Sequence, residues 1–326
     1  MTERLDMRAL GDTLRKAPGL AAKAEIGTVV NKLGLSPASS IPVGDDCAAI
    51  PDGQGYLLFA IEGLIDEFVA ADPWFAGWCG AMVNVSDVAA MGGRPIAMVD
   101  AIWADRSESA GPILAGLSAA AEAFAVPIAG GHANLHADRG RLSVAILGRA
   151  GRLLTSFEAR PGDRLVAAID LRGRYRDPFA NWDAATSAPV VRLRSDLELL
   201  PRIAEAGLSR AAKDISQGGI VGTAAMLAEC SGVGVRIDVG AVPKPESAPI
   251  DRWLMTFPSF GYLLAVAPAD VGAVTRLFRE RDIAASDIGA VVEGDEVAIA
   301  DRETVEVIWD FARRPLIGAG RRETVG

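Results

Sequence analysis

Strand-like and helix-like runs alternate along the whole chain, and this alternation restricts the fold more than any other feature. In the first half, the runs YLLFAIEG (56–63) and PIAMVDAIW (95–103) are typical of strands, because they are short and apolar. Helix-like stretches at 74–91 and 110–125 precede the next strand-like runs, VPIAGG (126–131) and RLSVAILGRA (141–150). The pattern predicts an α/β fold.

The second half begins a new α/β unit at ARPGDRLVAAIDL (159–171), where a Pro-Gly-Asp turn leads into an apolar strand. Strand and helix patterns continue to a last strand and helix at 296–312. Because 326 residues exceed what one small core usually holds, we predict two domains, 1–155 and 156–326.

One segment, 172–189, shows no clear period and is predicted to be a long loop. It is either a lid that meets an anionic or aromatic substrate or a solvated loop. The side chains that favour the lid are Arg172, Arg174, Tyr175, Arg176 and Trp182.

The composition excludes several classes of partner. A net charge of −9 argues against nucleic acid, because a protein that neutralises phosphates needs a basic face. Apolar segments are too short for a membrane span, and residues 1–24 have no apolar core of a secretory signal. Three scattered cysteines suit neither a disulfide framework nor a zinc site. We therefore expect a cytoplasmic protein that contacts no membrane.

The helix predicted at 74–91 carries an unusual second face. One face is an ordinary buried stripe, whereas the other holds small residues together with Asn84 and Asp87, which lie one turn apart. Such a face lets either a ligand or another part of the backbone approach closely. The sequence leaves both interpretations open: a ligand-binding face, or a helix packed on two sides.

Three further motifs suggest anion and cation sites. The adjacent carboxylates of Asp45 and Asp46 repel each other, which raises the question of a bound cation. In KDISQGG, Asp214 and Ser216 precede the paired glycines that open a helix, and Gly218 leaves amides there for an anion. Gly130 and Gly131 form a similar turn after a strand. Each Gly-Gly pair alone is a weak signal.

Five motifs together resemble one family. GDDCAAI, NVSDVAAMGGRP, GGHANLH, RPGDRLVAAID and DISQGG occur in the order and spacing of the AIR synthase-related, or PurM-like, superfamily. GDDCA is most similar to thiamine-monophosphate kinase, whereas the Asp-Pro helix entry and GGH look more like selenide water dikinase. The resemblance covers roughly residues 25–300.

The resemblance implies a fold and a homodimer. Its N-terminal domain would have a four-stranded sheet that joins the sheet of a second subunit into a β-barrel, and its C-terminal domain would be an α/β sandwich. It also implies a site for ATP and Mg²⁺ and a small-molecule substrate. The acids that match or could replace the family's metal ligands are Asp45, Asp46, Glu62, Asp87 and Asp214. The residues predicted to contact the nucleotide are Asn84, Gly130, Gly131, Ser216 and Gly218.

The chain also departs from the kinase pattern. His132 and Gln217 stand where thiamine-monophosphate kinases carry acids, and Glu62 could supply the carboxylate of their Thr-Asp pair, with Asp66 a less certain substitute. We expect an ATP- and Mg²⁺-dependent kinase-like transferase whose catalytic residues are not assigned. Two alternatives stay open: an ATP-dependent ligase or cyclase of the AIR synthetase or formylglycinamide amidotransferase type, and a nucleotide-binding subunit of a larger complex.

Overall fold

Two large β-sheets, one of five strands and one of seven, organise the chain. The structure is a computed structural model that describes residues 5–35 and 41–318. The five-strand unit comprises Asp46–Leu153 and Ala185–Glu205. The seven-strand unit comprises Leu154–Ala184 and the described parts of Met1–Asp45 and Ala206–Gly326.

The helices in the described ranges are α1 (Met7–Arg15), α2 (Pro18–Leu33), α3 (Asp66–Ala71), α4 (Pro73–Ala90), α5 (Ser107–Phe124), α6 (Val190–Leu197), α7 (Leu199–Ala206), α8 (Gly219–Ser231), α9 (Ile250–Leu254) and α10 (Val271–Arg279). Among the described residues, no helix combines the length and the apolar character that a membrane crossing requires.

The five-strand sheet has the order β1-β2-β5-β3-β4, and all neighbours are antiparallel except β3 and β4. The strands are β1 (Ala48–Asp52), β2 (Gly55–Gly63), β3 (Arg94–Trp103), β4 (Ile128–Asn134) and β5 (Arg141–Ala150). The prediction of four strands was wrong, because β1 forms a hairpin with β2. Gly53, at φ +63°, closes the turn, and Pro51 is tolerated because β1 is an edge strand.

Helix α4 is buried on all sides, from Phe75 to Ala90, and lies between the sheet and α5. The two helices cross very closely. A Cβ built on Gly77 would lie 1.9 Å from the Ile113 carbonyl oxygen, and one on Gly116 would lie 1.8 Å from the Trp74 carbonyl oxygen. Helix-to-helix packing therefore explains Gly77 on the small-residue face of α4.

Residues 185–205 belong to the five-strand unit because polar contacts tie them to it. The Arg94 guanidinium, at the start of β3, contacts the carboxylates of Glu198 at 3.0 Å and Glu205 at 2.6 Å. Arg194 donates to the Ala123 carbonyl oxygen at 2.9 Å, at the end of α5. Each compact unit is therefore built from more than one segment of the chain. The family domains 1–155 and 156–326, whose outer ends lie outside the described residues, stay a prediction.

The outer face of the five-strand sheet is apolar and exposed. Phe59 and Ile61 of β2 are 50% and 67% exposed, and Ile96 and Val99 of β3 are 43% and 44% exposed. Alternate residues, such as Leu58 and Met98, face α4 and are buried, as the two-residue period of a strand requires. The sheet is open in the described chain and does not close into a barrel by itself.

The seven-strand sheet has the order β15-β14-β10-β13-β6-β12-β9, with β10 and β14 parallel and the other neighbours antiparallel. Its α8 side chains share one apolar core with those of β6, β12 and α1. The strands are β6 (Arg164–Ile169), β9 (Ala211–Asp214), β10 (Gly234–Asp238), β12 (Gly261–Val266), β13 (Ala284–Val292), β14 (Glu296–Ala300) and β15 (Val305–Asp310).

Two sequence predictions fail in this unit. The expected last helix is strand β15, because the Asp301 side chain accepts from the N–H groups of Glu303 and Thr304 and closes a hairpin turn. The expected long loop at 172–189 contains β7 (Arg174–Tyr175) and β8 (Asn181–Asp183), which form a small sheet with β11 (Phe257–Pro258).

Candidate functional site

Helix α4 positions two of the predicted site residues, Asn84 and Asp87. The Asp72 carboxylate caps its N-terminus by accepting from the Phe75 N–H at 3.1 Å, and Pro73 takes the first helical position. A Cβ on Gly80 would lie 2.9–3.0 Å from the side chains of Leu142 and Val144 in β5, so the small residue lets the helix approach the sheet.

Asn84 lies fully inside the unit. Its Nδ2 donates to the Gly80 carbonyl oxygen at 2.8 Å, one turn earlier in α4. Within the described part of the chain, its Oδ1 is buried and has no hydrogen-bond partner. A buried amide oxygen that accepts no hydrogen bond costs free energy. Packing alone therefore does not explain why an asparagine occupies this position.

Asp46 and Asp87 bring carboxylate oxygens within 4.8 Å of each other in the five-strand unit. Asp87 is 6% exposed, and Asp46, just before β1, is half-buried. Two carboxylates at this separation repel each other, more strongly where burial removes water. Oxygen donors of this kind are what a hard divalent cation such as Mg²⁺ prefers, so the donor pair fits the ion that the resemblance implies.

The adjacent Asp45 has a different environment. Its Oδ2 accepts from the Thr155 hydroxyl at 2.6 Å, and its Oδ1 accepts from the Ser156 backbone N–H. Both partners belong to the seven-strand unit. Asp45 is the last residue of its segment of the seven-strand unit, and these two hydrogen bonds hold its carboxylate within that unit.

Glu62 lies in β2, and Asp66 follows shortly after the strand ends. Glu62 is exposed. It alternates with Leu58 and Ala60 along β2, so its side chain lies on the same face of the sheet as theirs, the face toward α4. The Asp66 carboxylate accepts from Arg139 at 3.1 Å and Arg141 at 3.3 Å. Two guanidinium groups neutralise the Asp66 carboxylate, which makes Asp66 a poor candidate for a metal-binding acid.

The glycine turn at Gly130 and Gly131 lies within the exposed edge strand β4. Gly130 has φ +151°, and a Cβ on Gly131 would lie 2.5 Å from the Asp100 carboxylate. Asp100 was missed by sequence reasoning, although an acid within the apolar run MVDAIW was a usable signal. Partial burial raises the pKa of Asp100 above its usual range.

Asp214, Ser216 and Gly218 lie where β9 leads into α8. Asp214 is buried and pairs with Tyr262 of β12 in the strand register. The Ser216 N–H points to the Thr223 hydroxyl at 3.4 Å, and Gly218 caps α8 without a side-chain hydrogen bond. Gly219 has φ +63° and packs against the Leu254 carbonyl, so the turn requires glycine there.

Lys213 is a second residue that sequence reasoning missed. It precedes Asp214 in β9 and is 2% exposed. Its ammonium donates to the Gly44 carbonyl oxygen at 3.3 Å and to the Ser156 hydroxyl at 3.5 Å. No sequence signal marked it, because lysine is normally an exposed residue.

Family models match most of the chain. The model described as AIR synthase related protein, N-terminal domain, matches residues 44–150, and the corresponding C-terminal domain model matches residues 180–302. An uncharacterized protein of Synechocystis sp. is 46% identical over 286 residues, which cover 87% of this chain and 88% of that protein.

Two relatives with named activities are more distant. A thiamine-monophosphate kinase of Methanospirillum hungatei is 30% identical over 63% of this chain and 72% of its own length. A selenide, water dikinase of Geobacter metallireducens is 31% identical over 71% of this chain and 72% of its own length.

Among solved structures, PurL of T. maritima complexed with ATP is similar in fold. The TM-score is 0.71 at 20% identity, over 85% of this chain and 47% of that one. The present chain thus spans about half the length of that protein.

Proposed function

The chain belongs to the AIR synthase-related family, and we propose that it is an ATP- and Mg²⁺-dependent enzyme that transfers a phosphoryl group to a small metabolite. A kinase similar to thiamine-monophosphate kinase is the first candidate. The observation that carries the proposal is the pair of carboxylates of Asp46 and Asp87 within 4.8 Å of each other. Repulsion between the two carboxylates destabilises the folded protein, and a bound divalent cation relieves that repulsion.

In this proposal, Asp46 and Asp87 hold the cation, and Glu62 and Asp214 add oxygen ligands by analogy with the family. Asp45 stays a predicted ligand, although each of its carboxylate oxygens already accepts a hydrogen bond, from the Thr155 hydroxyl and the Ser156 N–H. Bound Mg²⁺ supplies charge neutralisation of the transferring phosphate, which is the main requirement of this chemistry.

The nucleotide is proposed to contact backbone amides rather than basic side chains. Gly130 and Gly131 lie in the exposed strand β4, where a ligand can reach the backbone. Ser216 and Gly218 precede α8, whose first N–H groups and dipole attract a phosphate. Asn84 is buried, and its proposed part in cofactor binding is supported by its Oδ1, which has no hydrogen-bond partner among the described residues.

One experiment distinguishes this function from two alternative functions. Gln217 in place of a second acid favours an ATP-dependent ligase or cyclase. The exposed His132, where kinases of the family carry an acid, favours a nucleotide-binding subunit with little catalysis.

The products of ATP separate these functions. The full chain is incubated with ATP, Mg²⁺ and candidate acceptors, with thiamine monophosphate tested first. A kinase forms ADP without inorganic phosphate, a ligase forms both in equal amounts, and a binding subunit forms neither. Asp87→Asn is the inactive comparison, and Asp52→Asn, an exposed acid paired with Arg149, is the matched control in the same unit.

We also propose a homodimer. The exposed apolar face formed by Phe59, Ile61, Ile96 and Val99 is a contiguous surface of the kind that subunit contacts cover. A second copy of this chain is the occupant that the family resemblance favours.

A further inference from the structure

Lys213 places an ammonium group in the interior of the seven-strand unit. The residue is 2% exposed, and lysine is almost never buried to this extent without a specific partner. A methionine or leucine would fill the same volume without the cost of removing a charge from water. The lysine is therefore required for its charge or its donors rather than for packing.

The donors of Lys213 reach the segment that leads to the candidate metal site. Nζ lies 3.3 Å from the Gly44 carbonyl oxygen and 3.5 Å from the Ser156 hydroxyl. The Asp45 carboxylate accepts from the N–H of the same Ser156. The ammonium thus contacts the residue before Asp45 and the residue that binds Asp45, and it offsets a negative charge there.

We propose that Lys213 is a positioning residue for the metal site. Its side chain holds Gly44 and Asp45 in place, so that Asp46, the next residue, presents its carboxylate beside Asp87. The base of the lysine is fixed because β9 is paired with β12, where Lys213 lies opposite Leu263. The ammonium also offsets the charge of Asp45, which would otherwise add to the repulsion around Asp46. The inference rests on the proposed function, because it assumes that Asp46 binds a cation.

Positioning of this kind has a measurable consequence. A ligand that is held in its binding position before the cation arrives loses little conformational entropy on binding. Replacing Lys213 frees the Gly44–Asp46 segment and weakens cation binding, although no ligand atom is removed.

The test uses Mn²⁺ as a paramagnetic substitute for Mg²⁺. The full chain is titrated with Mn²⁺ without nucleotide, and free Mn²⁺ is measured by electron paramagnetic resonance. Lys213→Met is expected to raise the Kd at least tenfold. Lys244→Met is the matched control, because the Lys244 ammonium also contacts backbone carbonyls, those of Pro245 and Ala248, in the same unit. Its Kd is expected to equal that of the wild type.

The outcome that overturns the proposal is a folded Lys213→Met protein with the wild-type Kd. If that variant does not fold, the double variant Asp45→Asn/Lys213→Met is compared with Asp45→Asn alone, because the double variant removes both charges and leaves neither without the other. The double variant is expected to bind Mn²⁺ at least fivefold more weakly than Asp45→Asn, and equal affinities overturn the proposal. Failure of the proposed function is distinct: the wild type itself then binds no Mn²⁺.

Discussion

Asp46 and Asp87 lie far apart in the sequence, yet their carboxylate oxygens lie within 4.8 Å of each other in the five-strand unit. Asp46 precedes the first strand, and Asp87 is in the last turn of α4. Since α4 is buried from Phe75 to Ala90, the position of Asp87 is fixed by packing on both sides of the helix. The packing of this helix is therefore part of the site.

Because α4 and α5 cross so closely, we predict that one methyl group added in their contact disrupts the packing of the two helices. In Gly77→Ala, the new Cβ meets the Ile113 carbonyl oxygen, and we expect a loss of about 3 kcal/mol in the free energy of unfolding. Gly272→Ala in α10 is the control, because a Cβ there has no heavy atom within 4 Å. The free energy of unfolding of this control variant is expected to increase by up to about 1 kcal/mol. Urea denaturation measures both, and equal stabilities would contradict the packing account.

Asp100 predicts a pH-dependent difference in stability. Partial burial raises its pKa in the folded protein above the ordinary value of 3.8, so the folded state prefers the protonated carboxyl. Its contribution to stability is fully present below pH 3.8 and is lost as the pH rises through the folded-state pKa. Asp100→Asn does not ionise, so its melting temperature relative to the wild type should rise between pH 4 and pH 7. A constant difference over this range would refute the assignment.

Glu229 of α8 holds the end of the described chain. Its carboxylate accepts from the N–H groups of Leu316 at 2.8 Å and Ile317 at 2.7 Å. Glu229→Gln removes the charge that strengthens these bonds, and we expect a loss of about 2 kcal/mol. Hydrogen exchange at residues 316–318 should accelerate in this variant but not in Glu280→Gln, an exposed acid of the same unit. Unchanged exchange would show that the contact is weak.

The exposed face of the five-strand sheet predicts the oligomeric state. Ile61→Arg places a charge in the centre of this face and should convert a dimer into a monomer, because burying an unpaired guanidinium in an interface is costly. Light scattering after size exclusion gives the mass. Val191→Arg, at an exposed apolar position of α6, is the control and should remain dimeric. A monomeric wild type would contradict the proposed homodimer.

The parts of the fold that could be predicted from sequence are those with a local signal. The apolar periods of β2, β3 and α4 appear in the sequence, and Asp72-Pro73 marks the start of α4 within one residue. The hairpin strand β1 was missed because Pro51 argues against a strand unless it lies at an edge. The expected last helix was wrong because the turn at Asp301 depends on side-chain hydrogen bonds that the apolar period does not reveal.

In the candidate site, too, the residues in local motifs were predicted, whereas contacts between distant parts of the chain were not. Asp46 and Asp87 were predicted from motifs, whereas the partners of Asp45 at Thr155 and Ser156 come from a distant part of the chain. The burial of Lys213 also depends on tertiary packing, and residue type alone suggests the opposite. The contacts of Arg94 with Glu198 and Glu205 are non-local in the same sense.

The most direct test of the proposed function is calorimetric titration of the full chain with a non-hydrolysable ATP analogue, with and without Mg²⁺. We predict binding that requires Mg²⁺ in the wild type and in Asp52→Asn, and a loss of at least tenfold in affinity in Asp87→Asn. Without metal, Asp87→Asn should unfold at the same or a higher temperature than the wild type, because one of two repelling carboxylates is removed. Mg²⁺-dependent binding that is undiminished in Asp87→Asn, or no binding by the wild type, would contradict the account.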